Sequence, residues 1–379
     1  MSTSSAPIVL VMGRSGCGKT SITNIVFQQL SPLDTTFLEN TITLEVSRVA
    51  TNPLTQFEIW ELPGDYCAGE EVVCADGSML SSDSIFGRAS MLLFVIDAQD
   101  EDVTTVHSWQ VRHLVAAMSR AHAVSPEMSF VVLIHKMDDD PFVSGGARFE
   151  TQADLQYQII QELEAAGIDA IEPVYHMTSI YDHSIFMAFS RIIQNLIVEL
   201  DHLEDILDRL LDACSMEKVF LFDVVSKLFI ATDSKPVDPH RYELCSDMID
   251  VVFHVSTIYG SSGEGVAAAA EAEAGALPPH GGAGGQGLGS ALGGGVPAVE
   301  SAGELMTGAV FDEDSTSVMH LSGGYYEGTV LYLRQVSSHL ALVCWMREES
   351  FLKKGLIDYN IACFKKVLSD MCVLAKRGG

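Results

Sequence analysis

The chain has 379 residues, 47% of them apolar, with 51 acidic against 22 basic side chains and a formal net charge of −29 at pH 7. This length and apolar content allow two domains, or one with an appendage. The charge argues against nucleic acid and anionic lipid as direct ligands and leaves basic protein surfaces as the expected partners. No apolar run approaches the ~20 residues of a membrane span, so no direct membrane insertion is expected. Residues 1–5 lack a signal-type apolar core, Ser2 stands where myristoylation needs glycine, and Lys376-Arg377-Gly378-Gly379 carries no prenylation box. Eight cysteines, scattered from Cys17 to Cys372 without a C-x-x-C pair, read as the reduced thiols of a cytosolic chain.

Residues 6–200 alternate apolar strand-like runs with amphipathic stretches, the signature of an α/β domain with a mostly parallel sheet and helices on both faces. Strands are predicted at 8–12, 57–61, 91–97, 130–135 and 173–177, and an antiparallel edge strand over 41–49, where Ile42, Leu44 and Val46 alternate. Helices are predicted at 19–30, 103–122, 151–166 and 184–200, the third capped by Thr151 and stopped by Gly167. An acidic amphipathic helix over 201–213, with Leu203, Ile206, Leu207, Leu210 and Leu211 on one face, reads as a connector spanning 201–215. Beyond it, 216–375 reads as a small α/β domain: hairpins at 219–225/227–231 and 329–336/339–346, and helices at 240–256 and 357–374. Between its halves, 260–308 holds 15 of the 31 glycines with alanine runs, and reads as a disordered insert.

The stretch Gly13-Arg14-Ser15-Gly16-Cys17-Gly18-Lys19-Thr20-Ser21 follows the strand Ile8–Met12 and opens a helix. It matches G-x-x-x-x-G-K-[ST], in which glycines turn backbone N–H groups toward a polyphosphate, Lys19 reaches the terminal phosphates and the Thr20 hydroxyl ligates Mg²⁺. The positive end of the helix dipole aims at the same anion. A nucleoside triphosphate site is therefore expected. Trp60-Glu61-Leu62-Pro63-Gly64 stands where phosphate-loop proteins place an acid near Mg²⁺ and a glycine facing the γ-phosphate; Glu61 replaces the usual Asp and would act through a metal-bound water. Thr41 is the candidate threonine ligand of the switch, with Thr35, Thr36 and Thr43 as competitors.

The base is addressed by Ile134-His135-Lys136-Met137-Asp138, which resembles the N-K-x-D box of small GTPases with His135 in place of Asn. In that box the Asp carboxylate accepts from guanine N1 and N2, which points to GTP/GDP rather than adenine nucleotides. Thr178-Ser179-Ile180 stands where small GTPases place backbone donors for guanine O6, making Ser179 and Ile180 candidates as well.

The spellings His-Lys-x-Asp and Thr178 to Phe186 go further, as do Phe37-Leu38-Glu39, Val95 to Asp100, Phe220 to Lys227, Tyr242 to Tyr259 and Arg347 to Asn360. Together they resemble the Rag GTPases, on the RagC/RagD branch, over nearly the whole chain except 260–308 and part of 65–84. The resemblance implies a Ras-like P-loop GTPase domain followed by a roadblock/longin-type α/β domain that pairs with a RagA/B-like GTPase. It also implies residence in the cytoplasm and, through a scaffold complex, at the lysosomal or vacuolar surface. There such heterodimers relay amino-acid sufficiency to the TOR kinase complex, with a GTPase-activating protein driving hydrolysis. Two departures stand out: the phosphate loop is spelled more like RagA, and Asp65 replaces the Gln that usually follows Gly64. A carboxylate at 65, the candidate catalytic position, should repel the γ-phosphate and slow intrinsic hydrolysis. The rival expectation is a nucleotide-locked scaffold that does not cycle.

Overall fold

The computed structural model describes residues 6–52, 54–100, 108–138, 145–168, 171–260, 316–321 and 326–378. Its first sheet has the order β2-β3-β1-β6-β7-β8, built from Ile8–Gly13 (β1), Glu45–Asn52 (β2), Thr55–Glu61 (β3), Met91–Asp97 (β6), Ser129–His135 (β7) and Val174–Thr178 (β8). All pairs are parallel except β2 with β3, so the expected antiparallel edge strand is present. It starts at Glu45 rather than Thr41, because 41–44 are drawn off the sheet, as described below.

Each central strand is apolar on both faces, as a sheet covered on both sides requires. On β1, Val9 and Val11 pack with Ile22 and Val26 of α1 (Lys19–Gln28) and Ile185, Phe189 and Ile192 of α5 (Ser184–Gln194). The alternate residues Ile8, Leu10 and Met12 pack with the opposite helices: α2 (Ser82–Phe86), α3 (Trp109–Val124) and α4 (Gly145–Ala165). Several helix boundaries differ from expectation. The helix α3 ends at Val124, and the expected start at 103 lies outside the described residues. Helix α4 begins at Gly145, so Thr151 lies inside it and caps nothing; the glycine pair there masks the start in sequence. It does stop before Gly167, whose φ is +72°. The predicted helix 184–200 is two: α5 ends at Gln194, turns bonded Leu196 N–H to Ile193 and Ile197 N–H to Gln194 intervene, and α6 (Leu200–Cys214) follows.

The second sheet is antiparallel, ordered β10-β9-β13-β12-β11, from Met216–Asp223 (β9), Phe229–Thr232 (β10), Thr316–Leu321 (β11), Thr329–Gln335 (β12) and Leu340–Arg347 (β13). Pro239–Gly260 (α7) covers one face, where Tyr242, Cys245 and Met248 meet Phe220, Phe222 and Trp345. Helix α6 and Lys354–Gly378 (α9), the latter preceded by the short Glu348–Phe351 (α8), cover the other. This arrangement is compatible with a longin-type domain. Sequence patterning missed β11, and the insert expected at 260–308 lies outside the described residues from 261 on.

The segment read as a connector is part of the core. Leu203, Leu207, Leu210, Leu211 and Cys214 of α6 are buried in one cluster that also contains Val11, Ile192, Leu221 and Phe364, so the two sheets share an apolar centre. Polar ties reinforce it: Asn52 Nδ2 donates to Asp223 Oδ2 at 2.9 Å, and the Phe229 N–H donates to Ser190 Oγ at 3.0 Å. The 201–213 face therefore packs inward except at Ile206, which is only partly buried. Leu207→Ala, at a fully buried position, is expected to cost about 2–5 kcal/mol in urea unfolding. Val198→Ala, where the side chain is 94% exposed, should stay within about 0.5 kcal/mol of the parent; equal losses at the two sites would contradict the shared core.

Candidate functional site

Parallel pairing sets Val11 opposite Glu61 and Gly13 opposite Val95, and continues through Asp97 opposite His135 and His135 opposite Thr178. All the predicted motifs thus emerge at the carboxyl edge of one sheet, where open α/β sheets bind ligands. A cleft of about 170 Å³ opens there, lined by Ser15, Gly16, Gly18, Lys19, Thr20, Ser21, Thr35, Leu38, Glu39, Asn40, Thr41, Glu61 and Gly64.

The loop Gly13–Gly18 wraps the N-terminus of α1, and Gly18 is its left-handed cap with φ +104°. A Cβ on Gly18 would also lie 2.9 Å from the His135 ring, so glycine is required on both counts. Lys19 is buried, and its Nζ donates to the carbonyls of Gly13 at 2.9 Å and Arg14 at 3.2 Å. An ammonium has three N–H donors, so one remains for a phosphate oxygen. Cys17 is buried behind the loop, and burial pushes its thiol up to about 11, which leaves it inert. Arg14 points outward to Asp100, 2.5 Å away, and lies outside the cleft lining.

Thr20, Thr41 and Glu61, predicted around Mg²⁺ from three separate segments, converge. Thr20 Oγ1 lies 2.5 Å from Glu61 Oε1 and 3.1 Å from Thr41 Oγ1, and Thr41 donates to Glu61 at 3.3 Å. Of the competing threonines, Thr35 lines the cleft rim but gives its hydroxyl to the Pro32 carbonyl, and Thr36 gives its own to Leu33. Glu61 is 4% exposed, and burial raises its pKa against the pull of the Thr20 hydrogen bond and Lys19. A cation beside it would hold it ionised. Two hydroxyls and one carboxylate are hard oxygen donors that suit Mg²⁺, an ion that keeps water and phosphate oxygens in its remaining positions. The residues therefore fit the ion. Gly64 abuts the loop so closely that a Cβ would fall 2.2 Å from Ser15 N, which locks this position to glycine. Asp65, one residue on, is exposed and outside the cleft lining; the structure does not bring it to the other site residues.

At the base end, Lys136 has φ +62° and its Nζ donates to the Gly16 carbonyl at 2.9 Å and to Asp97 Oδ2 at 2.6 Å. Asp138 is exposed beyond it, and its Oδ1 accepts from Ser179 Oγ at 2.8 Å. Ile180, half-buried, packs its side chain against the shared core. His135, in the place of the usual Asn, sits 1% exposed between Gly18 and β8, with Nδ1 2.9 Å from Thr178 Oγ1. Burial and the Lys136 charge push its pKa down to about 3, so the ring is neutral. Asp97 and Gln99 were missed as site residues: Asp97 pairs with Lys136, and Gln99 Nε2 donates to the Lys136 carbonyl at 3.1 Å. The position of Asp97 at a strand end between the two motifs was the available signal.

A glycine-rich anion loop, a hydroxyl and carboxylate cation set, and a separate lysine and aspartate box on one sheet edge define a P-loop nucleotide-binding protein of the G-protein class. Residues 8–249 match the family model described as "Gtr1/RagA G protein conserved region". The chain is 37% identical to Ras-related GTP-binding protein C of Mus musculus over 97% of its own length and 77% of the relative's. It is 38% identical to Ras-related GTP-binding protein D of the same organism, over 98% and 69%. It is 33% identical to GTP-binding protein gtr2 of Schizosaccharomyces pombe, over 96% and 97%. The chain belongs to the Rag GTPase family, on its RagC/RagD-like branch.

The neutral, buried His135 has a measurable consequence. Its pKa is about 3 when folded, against the ~6.5 of an unfolded histidine. The unfolded chain therefore binds a proton between these values that the folded chain refuses. This difference costs the fold nothing above pH ~6.5 and destabilises it increasingly as pH falls toward 3, by up to about 1.4 kcal/mol per pH unit. Urea midpoints at pH 7.5 and 5.5 should differ less in His135→Asn than in the parent; an identical pH dependence would show that His135 is not buried neutral.

Proposed function

We propose that this chain is a guanine-nucleotide-binding regulatory subunit that cycles between GTP and GDP with Mg²⁺ as one half of a heterodimer with a RagA/B-like GTPase. The observation that carries the reading is the convergence of Thr20, Thr41 and Glu61 beside Lys19 in one cleft, on the sheet edge from which the base box also emerges. In this reading the loop N–H groups and Lys19 hold the phosphates, and Mg²⁺, when bound, neutralises charge on the β- and γ-phosphates. Ser179 orients the Asp138 carboxylate by its 2.8 Å hydrogen bond, so that both oxygens of Asp138 can face guanine N1 and N2. The segments 35–48 and 64–84 then carry the nucleotide state to partners.

The unit 216–375 is the proposed dimerisation domain. Its strand β11 pairs only with β12 among the described residues, and an edge strand offers backbone donors and acceptors to a partner. Through a scaffold at the lysosomal or vacuolar surface, the heterodimer would relay amino-acid sufficiency to the TOR kinase complex. Family membership supports this relay, and so does an acidic surface suited to basic protein partners.

Asp138→Asn is expected to weaken GTP by about 2–4 kcal/mol, because a charged hydrogen-bonded pair is lost, and to favour xanthosine nucleotides. Titration with fluorescent GTP, XTP and ATP checks this; equal affinity of the parent for ATP and GTP would defeat the base assignment.

Asp65 in place of the Gln usual after Gly64 favours a second reading, a nucleotide-locked scaffold with negligible hydrolysis. Single-turnover hydrolysis separates the two. The cycling reading expects slow hydrolysis by the parent that an activating protein accelerates, and, with Asp65 exposed and outside the cleft lining, an intrinsic rate left unchanged by Asp65→Gln. The locked reading expects no hydrolysis by either form, with or without an activating protein.

A further inference from the structure

Between Gly64 and α2 the chain folds a small hairpin, Glu71–Val73 (β4) against Met79–Ser81 (β5), in a region that sequence patterning left without structure. None of its residues lines the nucleotide cleft. It is nevertheless built firmly. The Gly69 N–H donates to Ser82 Oγ at 3.1 Å and closes its base, while Cys74 N–H to Ser78 and Gly77 N–H to Cys74, at 2.8 and 2.9 Å, close its turn. Val72, 4% exposed, anchors it in the core cluster that holds Trp60, Tyr66 and Phe86.

The hairpin is also attached to the cleft wall. The Leu44 N–H donates to the Val73 carbonyl at 2.8 Å, Leu44 and Cys74 form a parallel bridge, and the Leu44 side chain, 3% exposed, enters the same cluster as Val72. Leu44 lies three residues after Thr41. On the other side, Leu38 N–H donates to the Thr35 carbonyl, and the Thr35 hydroxyl is tied to Pro32. The cleft-lining residues Leu38–Thr41 are thus suspended between a one-turn helix, Asp34–Phe37, and the Leu44 bridge. The side chains on their flanks do not pack: Phe37 and Ile42 are 85% and 82% exposed. The bridge also explains why β2 starts only at Glu45, since residue 44 is paired to the hairpin instead of to β3.

We propose that the β4–β5 hairpin is the positioning element of Thr41: through Leu44 it holds the segment that closes the cleft, and Mg²⁺-dependent release of nucleotide requires the Leu44 bridge to open. The inference rests on the nucleotide-binding reading above. Opening the bridge breaks one backbone hydrogen bond and withdraws one buried leucine, so loss of the hairpin lowers the barrier that Thr41 adds through Mg²⁺. Thr20 and Glu61 lie on α1 and β3 and keep their places.

The test is stopped-flow release of a fluorescent GTP analogue from the full chain. Residues 70–81 are replaced by Gly-Ser-Gly, a replacement permitted because Gly69 and Ser82 already touch. With Mg²⁺ present, release should accelerate about fivefold or more, the worth of a backbone hydrogen bond near 1 kcal/mol. With the metal chelated, the two proteins should release alike, whereas general loosening would accelerate both conditions. Equal release with Mg²⁺ present, or equal acceleration in both conditions, overturns the proposal.

A second variant does not depend on the replacement folding. In a Cys67→Ser, Cys363→Ser background, Leu44→Cys sets a thiol opposite Cys74 across the parallel bridge, the neighbouring-strand placement that a disulfide needs. Oxidation should slow Mg²⁺-dependent release and reduction should restore it. A disulfide verified by mass spectrometry that leaves release unchanged, or failure of the disulfide to form, overturns the proposal. If the parent binds no guanine nucleotide at all, the functional reading fails first, and that outcome is seen before either variant is measured.

Discussion

Parallel pairing of β1 with both β3 and β6 is the constraint on which the rest of the site depends. A parallel neighbour delivers its carboxyl end to the same sheet edge, so pairing Val11 with Glu61 and Gly13 with Val95 brings segments 50 and 82 residues apart in sequence within hydrogen-bond distance. The phosphate loop, the carboxylate of Glu61 and Asp97 then need no further device to meet. Both faces of these strands must be apolar for such pairing to survive. The alternation of Val9 and Val11 toward one helical layer, and of Leu10 and Met12 toward the other, meets that requirement.

Charge at the site is arranged by burial. Lys19 in the loop, Lys136 just after β7 and the carboxylate of Glu61 would be costly in a partly desolvated site if left alone. Each has partners: Lys19 has two loop carbonyls, Lys136 has Asp97 and the Gly16 carbonyl, and Glu61 has two hydroxyls. His135 contributes by staying neutral, since a second cation next to Lys136 would work against the same low-dielectric environment. In this way one ring joins the phosphate loop, β7 and β8 without adding charge.

The second sheet is bound to the first through α5 and α6, whose apolar faces belong to one continuous cluster. Asn52, at the turn between β2 and β3, reaches Asp223 across this boundary while its Oδ1 accepts from the N–H groups of Leu54 and Thr55. The strand that follows the Thr41 segment is therefore anchored at its far end to the second sheet, and at its near end to the β4–β5 hairpin.

The sequence by itself determined what depends on local chemistry. The glycine and lysine spacing of 13–20, the strand periodicities and the lysine and aspartate of the base box are each legible within a few residues, because anion binding, pleat alternation and base recognition impose short-range rules. The phosphate loop was readable on that basis, whereas Thr41 stands apart from Thr35, Thr36 and Thr43 only through its contacts with Thr20 and Glu61. What the tertiary structure alone decided depends on partners distant in sequence. Residues 201–213 have the same amphipathic pattern whether they bridge domains or fill a core, and only the second sheet makes them core. Asp97 is one acid among 51 until β7 places Lys136 beside it. The β4–β5 hairpin has strands of three residues, too short to show periodicity, and exists because Val72 finds a core and Leu44 completes a bridge. Asp65 could be read as facing the γ-phosphate, but the turn after Gly64, wedged against Ser15, leaves its side chain exposed and outside the cleft lining.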